Sequence, residues 1–407
     1  MIRILLAISL PGLTVLPALA ATPTFTPDAA VAYAMRHNPD LQAARHRIAE
    51  AEGRLLHAGQ KQSPEIEAEI KPNVEGREFA AGVGLVQKFP FSQRLRLEKR
   101  VSEVEVAVAT DEVRSAERVL EWQIRTLIVR VLDVRSRRDV HQRQSDYSRE
   151  LAEAAGRAAA AGEGSALLAA GIDLEAGETA VRRMELDAEE SAHLAALRPL
   201  LGLPPTASLR LTGELGEPVA PKSEGSITVD ALPDMRAAEA RIQAATDNIA
   251  LQRASKWEDL AVGVSYEREH VEDAGYGLRR ENFLGLKLTI PLPLGKNNLS
   301  HVREAEATAR RRTAERDALA ASLRAEAAAA RAAMAAAAAI YAQTTTTLLP
   351  KARQLEDRFF TAYQAGQSPL TDVLRSREKR LALESVRLNA QRDYHLARIR
   401  HQAVVGR

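Results

Sequence analysis

Histidine is the side chain most often found on a transition metal, and His37, His46 and His57 lie along one stretch of helical pattern. Their spacings are nine and eleven residues. A helix presents two ligands to one ion at three or four. The nine histidines are otherwise scattered, and no His-Glu-x-x-His is present, so they read as solvated surface groups. The chain has no cysteine, which excludes disulfides, thiolate metal sites and cysteine nucleophiles. Gly82-Val83-Gly84 lacks the third glycine of a dinucleotide loop, and Gly295-Lys296 lacks the upstream glycine of a phosphate loop. No Gly-x-Ser-x-Gly occurs. No catalytic, cofactor-binding or metal-ligating residue is therefore expected, and the chain does not read as an enzyme. One carboxylate stands in a special place. Gly366 suits the positive φ of a sharp turn, and Pro369 suits the first turn of the helix that follows. Asp372 then meets the positive end of that helix, worth about 0.3–1 kcal/mol. Arg375 stands one turn further on, within reach of it.

The elements that would position these residues are helices above all. Aromatics are only 4% of the 407 residues, too few for the core of a large globular enzyme. Alanine, glutamate, arginine and leucine dominate, a composition for long helices. The 56 Lys and Arg balance the 54 Asp and Glu and are interspersed with them. That excludes the basic stripe of a nucleic-acid surface.

The first 20 residues read as an export signal. Arg3 precedes an apolar run broken by Pro11, Gly12 and Pro17, and Ala18-Leu19-Ala20 is a small-x-small cleavage site. Cleavage is expected after Ala20. No other uninterrupted apolar run of about 18 residues follows. An exported chain without a helical anchor is periplasmic, secreted, or built into the outer membrane as strands.

The chain is duplicated. Pro39-Asp40-Leu41-Gln42-Ala43-Ala44 is echoed by Pro233-Asp234-Met235-Arg236-Ala237-Ala238. Gly84-Leu85 before Pro90 matches Gly285-Leu286 before Pro291, and Ala161-Gly162 matches Ala365-Gly366. We divide the mature chain into a first repeat over 21–205, a Pro- and Gly-rich link over 206–230 and a second repeat over 231–407. Each repeat predicts a helix, two strands and two very long helices. The first helices fall at 27–60 and 230–255. The strands fall at 65–70, 79–86, 260–266 and 284–290, where apolar residues alternate with small or charged ones. The long helices carry apolar stripes at three- and four-residue spacing. One runs through Leu120, Ile124, Leu127, Val131 and Val134; the other runs through Leu323, Ala327, Ala330, Met334 and Tyr341 and on to Leu348 and Leu355. An ordinary hairpin and membrane strands both fit the alternation. Four strands cannot close a barrel, because open edges are not tolerated in lipid. Strands in the membrane require several chains to share one barrel. A periplasmic coiled-coil scaffold is the alternative of another class, and it leaves the strand pairs without a purpose.

Taken together, these features resemble the TolC outer-membrane efflux family over nearly the whole mature chain. The resemblance rests on the duplicated Pro-Asp starts, on Pro90 and Pro291, and on the run Tyr363-Gln364-Ala365-Gly366-Gln367-Ser368-Pro369-Leu370-Thr371-Asp372-Val373-Leu374. It implies a mainly α fold with a small β part: long helical hairpins forming an α-barrel, and four strands per chain in a shared twelve-stranded barrel. It implies a homotrimer in the outer membrane that reaches into the periplasm, with a periplasmic adaptor and an inner-membrane RND-type pump as partners. It carries a periplasmic gate onto Asp372 and Arg375, and an adaptor-contacting tip onto Gly162, Ser165, Gly366, Ser368, Val373 and Leu374. Ile290-Pro291-Leu292-Pro293-Leu294 with Asn297-Asn298 is similar to the CzcC branch, which implies heavy-metal cations as cargo. Drug efflux and type I secretion are the alternatives within the family. The chain departs from the pattern at three places. The first tip has no Asp-Val-Leu. Arg375 stands where some members carry a second aspartate. Gly295 stands where the metal branch has an aromatic.

Overall fold

The computed structural model describes residues 24–74, 78–161, 165–221, 229–273, 277–292 and 298–405. The expected leader lies outside these residues, as do Gly162 and 293–297 of the Pro-Leu motif. In chain order the elements are β1 (Thr24–Phe25), α1 (Pro27–His37), α2 (Pro39–His57), β2 (Glu65–Pro72), β3 (Phe79–Phe89), α3 (Arg94–Ala160), α4 (Ala166–Leu200), β4 (Arg210–Leu211), α5 (Pro233–Ala254), β5 (Leu260–Asp273), β6 (Gly277–Thr289), α6 (Leu299–Gln343), a π-helical turn (Thr344–Leu348), α7 (Leu349–Gln364) and α8 (Leu370–Val405). The chain divides into two compact units, and the division falls within α1 and α3.

The first unit holds residues up to Ala34 and Arg130–Glu214. Its core is the apolar stripe of α3, with Val131, Leu132, Val134 and Val140 buried, and Ile172, Leu186 and Leu197 buried on α4. Charges tie the pair together. Arg135 and Arg138 both reach Glu190, at 2.7 and 2.9 Å, and Arg137 bridges Asp133 and Glu189. β1 pairs in parallel with β4, and Arg135 donates to the Leu211 carbonyl at 2.7 Å.

The second unit holds Met35–Val129 and Leu215–Arg407. The helix expected over 27–60 is two helices. Asn38 breaks it, because Pro39 disfavours helical geometry in the residue before it. The freed Asn38 then caps α2, its side chain accepting from the Leu41 N–H at 2.7 Å. α2 and the duplicated α5 are both fastened to α3 by ion pairs. Arg45 meets Glu117 at 2.8 Å, Arg236 meets Asp111 at 3.0 Å and Arg100 meets Asp247 at 3.1 Å. Asp234 accepts from both Ser115 and Arg118. Leu232 and Met235 at the start of α5 pack with Leu323 and Ala327 of α6 and Val404 of α8. Further along, Met334 and Ala337 of α6 pack with Tyr394 and Ala397 of α8. Alanine at these seams lets the backbones approach closely.

α6, the π turn and α7 form one helical run of about 100 Å at ~1.5 Å per residue. The expected stripe fails after Tyr341. Leu348 and Leu355 are exposed, while Thr344 and Leu349 are buried. A π turn inserts one residue, which rotates the face by about 100° and resets the phase. The four β strands form an antiparallel sheet in the order β2-β3-β5-β6. They are longer than expected: β5 continues to Asp273 and β6 starts at Gly277.

Candidate functional site: a sheet with one bare apolar face and a helix-hairpin turn

Strand register sorts the sheet into two faces. Leu284, Leu286 and Leu288 pair with Tyr266, Val264 and Val262; Val264 and Tyr266 pair onward with Leu85 and Val83; and Leu85 pairs with Ile66. Side chains alternate along a strand, so all of these share one face. Nothing among the described residues covers it. Leu284 is 82% exposed, Leu286 79% and Ile66 76%. A water-soluble protein rarely leaves so large a contiguous apolar patch bare. Each such leucine gains about 1.5–3 kcal/mol on leaving water.

The opposite face is small and charged. Gly82, Gly84, Gly263 and Gly285 lie on it, with Glu65, Glu67, Glu69, Lys71, Lys88, Glu267 and Lys287. Ion pairs run across it: Lys88 to Glu65 at 2.9 Å and Lys71 to Glu267 at 3.5 Å. The glycines leave room for those chains. A Cβ at Gly285 would meet the Ser265 hydroxyl at 2.6 Å. Both edges of the sheet, β2 and β6, are unpaired among the described residues.

At one end of the sheet the strands lead into the helices. There Phe91 is 69% exposed and lies 5.9 Å from the ring of Trp257, with the Lys256 ammonium above that ring. Of these, the Trp257 indole is of the amphipathic kind enriched at membrane–water interfaces. The strand-to-helix step before α6 is made by Asn298 at φ 47, a left-handed conformation asparagine tolerates.

The turn between α7 and α8 is where the sequence places it. Gly366 has φ +70. Its N–H bonds to the Tyr363 carbonyl at 2.9 Å, and the Gln367 N–H reaches back to Ala362 at 2.8 Å. This is a Schellman ending, which satisfies the last carbonyls of α7. Asp372 lies in the first turn of α8 and accepts from the Ser368 hydroxyl at 3.0 Å. Arg375 is exposed and does not pair with Asp372 within the chain. Val373 is 1% exposed and packs inside the hairpin, while Leu374 is half-buried. Ser165, at the other hairpin, is exposed and its carbonyl begins α4. The ion pairs holding α2 and α5 to α3 were missed in the sequence. Their only signal was the regular acid-base alternation of α3. Among the described residues no group of three or more potential metal ligands occurs, and no helix is long and apolar enough to cross a membrane.

A bare apolar sheet whose two edges are unpaired among the described residues, joined to long helical hairpins, is the architecture of a membrane-embedded sheet, which a coiled-coil rod leaves unexplained. Residues 230–407 match the family model described as outer membrane efflux protein. The fold agrees across most of the chain. A membrane protein from Pseudomonas aeruginosa superposes with a TM-score of 0.77 at 16% identity, over 93% of this chain and 93% of that one. The outer membrane protein VceC from Vibrio cholerae superposes at 0.74 and 17% identity, over 93% and 96%. The MtrE outer membrane channel of Neisseria gonorrhoeae, in its open state, superposes at 0.75 and 15% identity, over 93% and 88%. Among curated proteins none matches the chain in sequence.

Proposed function

We propose that this chain is the exit duct of a tripartite efflux system, passing its cargo passively from the periplasm across the outer membrane. The observation that carries the reading is the sheet: one uncovered apolar face, one charged and glycine-rich face, and two unpaired edges. Lipid would cover the first face, water the second, and neighbouring chains the edges. Three chains then supply twelve strands, enough for a closed barrel. The helical hairpins extend the duct into the periplasm, where an adaptor and an inner-membrane RND-type pump meet the tips through Ser165, Gly366 and Ser368. Asp372 forms the gate: three copies around the axis concentrate cations at the mouth. Heavy-metal cations are the cargo this reading favours, supported by the Pro-Leu-Pro-Leu and Asn-Asn run after β6.

Two experiments test this. Purified protein in planar bilayers should form trimers that conduct ions; monomers without conductance would end the duct reading. A deletion strain should lose tolerance to zinc, cobalt, cadmium, copper or silver. Sensitivity only to dyes and detergents would move the cargo to drugs.

A further inference from the structure

The rim of the apolar face at the hairpin end of the sheet is cationic. Beyond Tyr266 and Leu284 the same face continues through Arg268 and His270 on β5, and through Asn282 and Arg280 on β6. Arg268 pairs in register with Asn282, and His270 with Arg280. The contacts hold these side chains to that face. The Tyr266 hydroxyl and Arg268 Nε both donate to Asn282 Oδ1, at 2.7 and 3.3 Å. The His270 ring stacks on Phe79 at 4.3 Å. Glu267, Glu269 and Glu281 occupy the intervening positions on the other face, while Glu272 follows His270 in register on this one, opposite Leu278. Arg268 and Arg280 are exposed, and no ion pair among the described residues engages either.

Two guanidinium groups facing outward just past an apolar band, with the flanking Glu267, Glu269 and Glu281 turned to the other face, are unusual. On a soluble sheet they would pair with the neighbouring glutamates. Placed at a membrane surface they need an anion from outside the chain. Guanidinium matches phosphate bidentately. Resting on the duct reading, which puts the hairpin end at the outer surface, we propose that Arg268 and Arg280 dock the phosphate groups of outer-leaflet lipid. The stacked Phe79 and His270 would seat the lipid where its acyl chains meet its headgroup. In a trimer the surface repeats around the barrel and anchors it at a fixed depth.

The test uses the full-length protein in phosphatidylcholine nanodiscs carrying either diphosphoryl lipid A or the same lipid stripped of both phosphates. Retained lipid per trimer is read by mass spectrometry after detergent dilution. Wild type should retain the phosphorylated form selectively. Each basic side chain near an anionic surface contributes about fivefold, so Arg268→Gln with Arg280→Gln should weaken retention roughly 30-fold. Arg279→Gln, on the opposite face one residue away, should leave it unchanged. Equal retention of both lipids by wild type, or an equal loss from Arg279→Gln, overturns the proposal. Conductance of the same preparations in pure phosphatidylcholine separates the two claims. A conducting trimer without lipid selectivity removes this inference alone, whereas a chain that neither assembles nor conducts removes both.

Discussion

The Lys287 ammonium and the Glu67 carboxylate stand 3.8 Å apart although their strands, β6 and β2, are the two opposite edges of the four-stranded sheet. They meet because Gly84 and Gly263 leave the face between them open. The pair fixes which side of the sheet is wet. Leu286, one residue along, points the other way and is bare. An arginine facing lipid near mid-bilayer costs about 2–4 kcal/mol. Leu286→Arg should therefore abolish most trimer assembly, and Lys287→Arg should leave it intact, as read by the heat-resistant trimer band in detergent. Equal losses would reverse the assigned faces.

The π turn makes a second prediction. Its extra residue is already an insertion, so deleting Thr346 should restore a plain helix and leave both flanks in register. Deleting Ala330, buried in the α6 stripe, rotates everything after it by about 100°. The first variant should assemble and the second should not. Helical content by circular dichroism and trimer yield together decide it, and equal tolerance would contradict the phase assignment.

How far the sequence carried follows from these cases. Periodicity located α3, α6 and the four strands, because each has one apolar face, whereas α4 and α8 followed only from the repeat and the turns before them. The π turn was hidden because Thr344–Leu348 has no distinctive side chain and a one-residue phase shift leaves the spacing helical. The extensions of β5 and β6 were hidden because Arg268, Glu269, Arg279 and Arg280 are all charged, so apolar alternation disappears there while ladder pairing persists. At the turn, Gly366 and Asp372 were legible from local geometry. That Val373 packs inward depended on tertiary packing.

His395 gives a pH dependence. It is buried on α8, with Nε2 2.8 Å from the Gly216 carbonyl. Burial, aided by Arg398, holds its pKa below the usual histidine value. A base with a lowered folded pKa binds fewer protons folded than unfolded, so stability rises with pH. The contribution is complete above the unfolded value of about 6.5 and is lost as pH falls below it. His141 shifts in the same direction through burial and nearby arginines. The melting temperature should fall on acidification from about pH 7.5 to 5.5, and His395→Gln should flatten that fall. An unchanged slope would show that His395 is not a source.

At the turn, Ser368 and Asp372 separate a capping role from a gating role. Ser368→Ala should lower thermal stability by about 0.5–1.5 kcal/mol without altering ion selectivity. Asp372→Ala should lower cation selectivity in single-channel recordings, and Arg375→Ala should raise resting conductance. Unchanged recordings in both, with trimers intact, would leave Asp372 as a helix-start residue only.

The mature protein should begin at Ala21 and fractionate with the outer membrane. Intact Met1 on the membrane-bound protein would contradict this.

The central claim is that β2 of one chain pairs with β6 of the next in a closed ring of three. The chain has no cysteine, so added thiols report without background. Ala68→Cys on β2 can be combined in turn with Leu284→Cys, Leu286→Cys and Leu288→Cys on β6. Within one chain these edges are about 14 Å apart across three strand spacings, too far for a disulfide, which needs Cα atoms within about 7 Å. Oxidation in membranes should produce, for at least one pair, covalent dimers and trimers and nothing larger. Chains that stay monomeric for every pair, or ladders that run past three, would contradict the shared barrel.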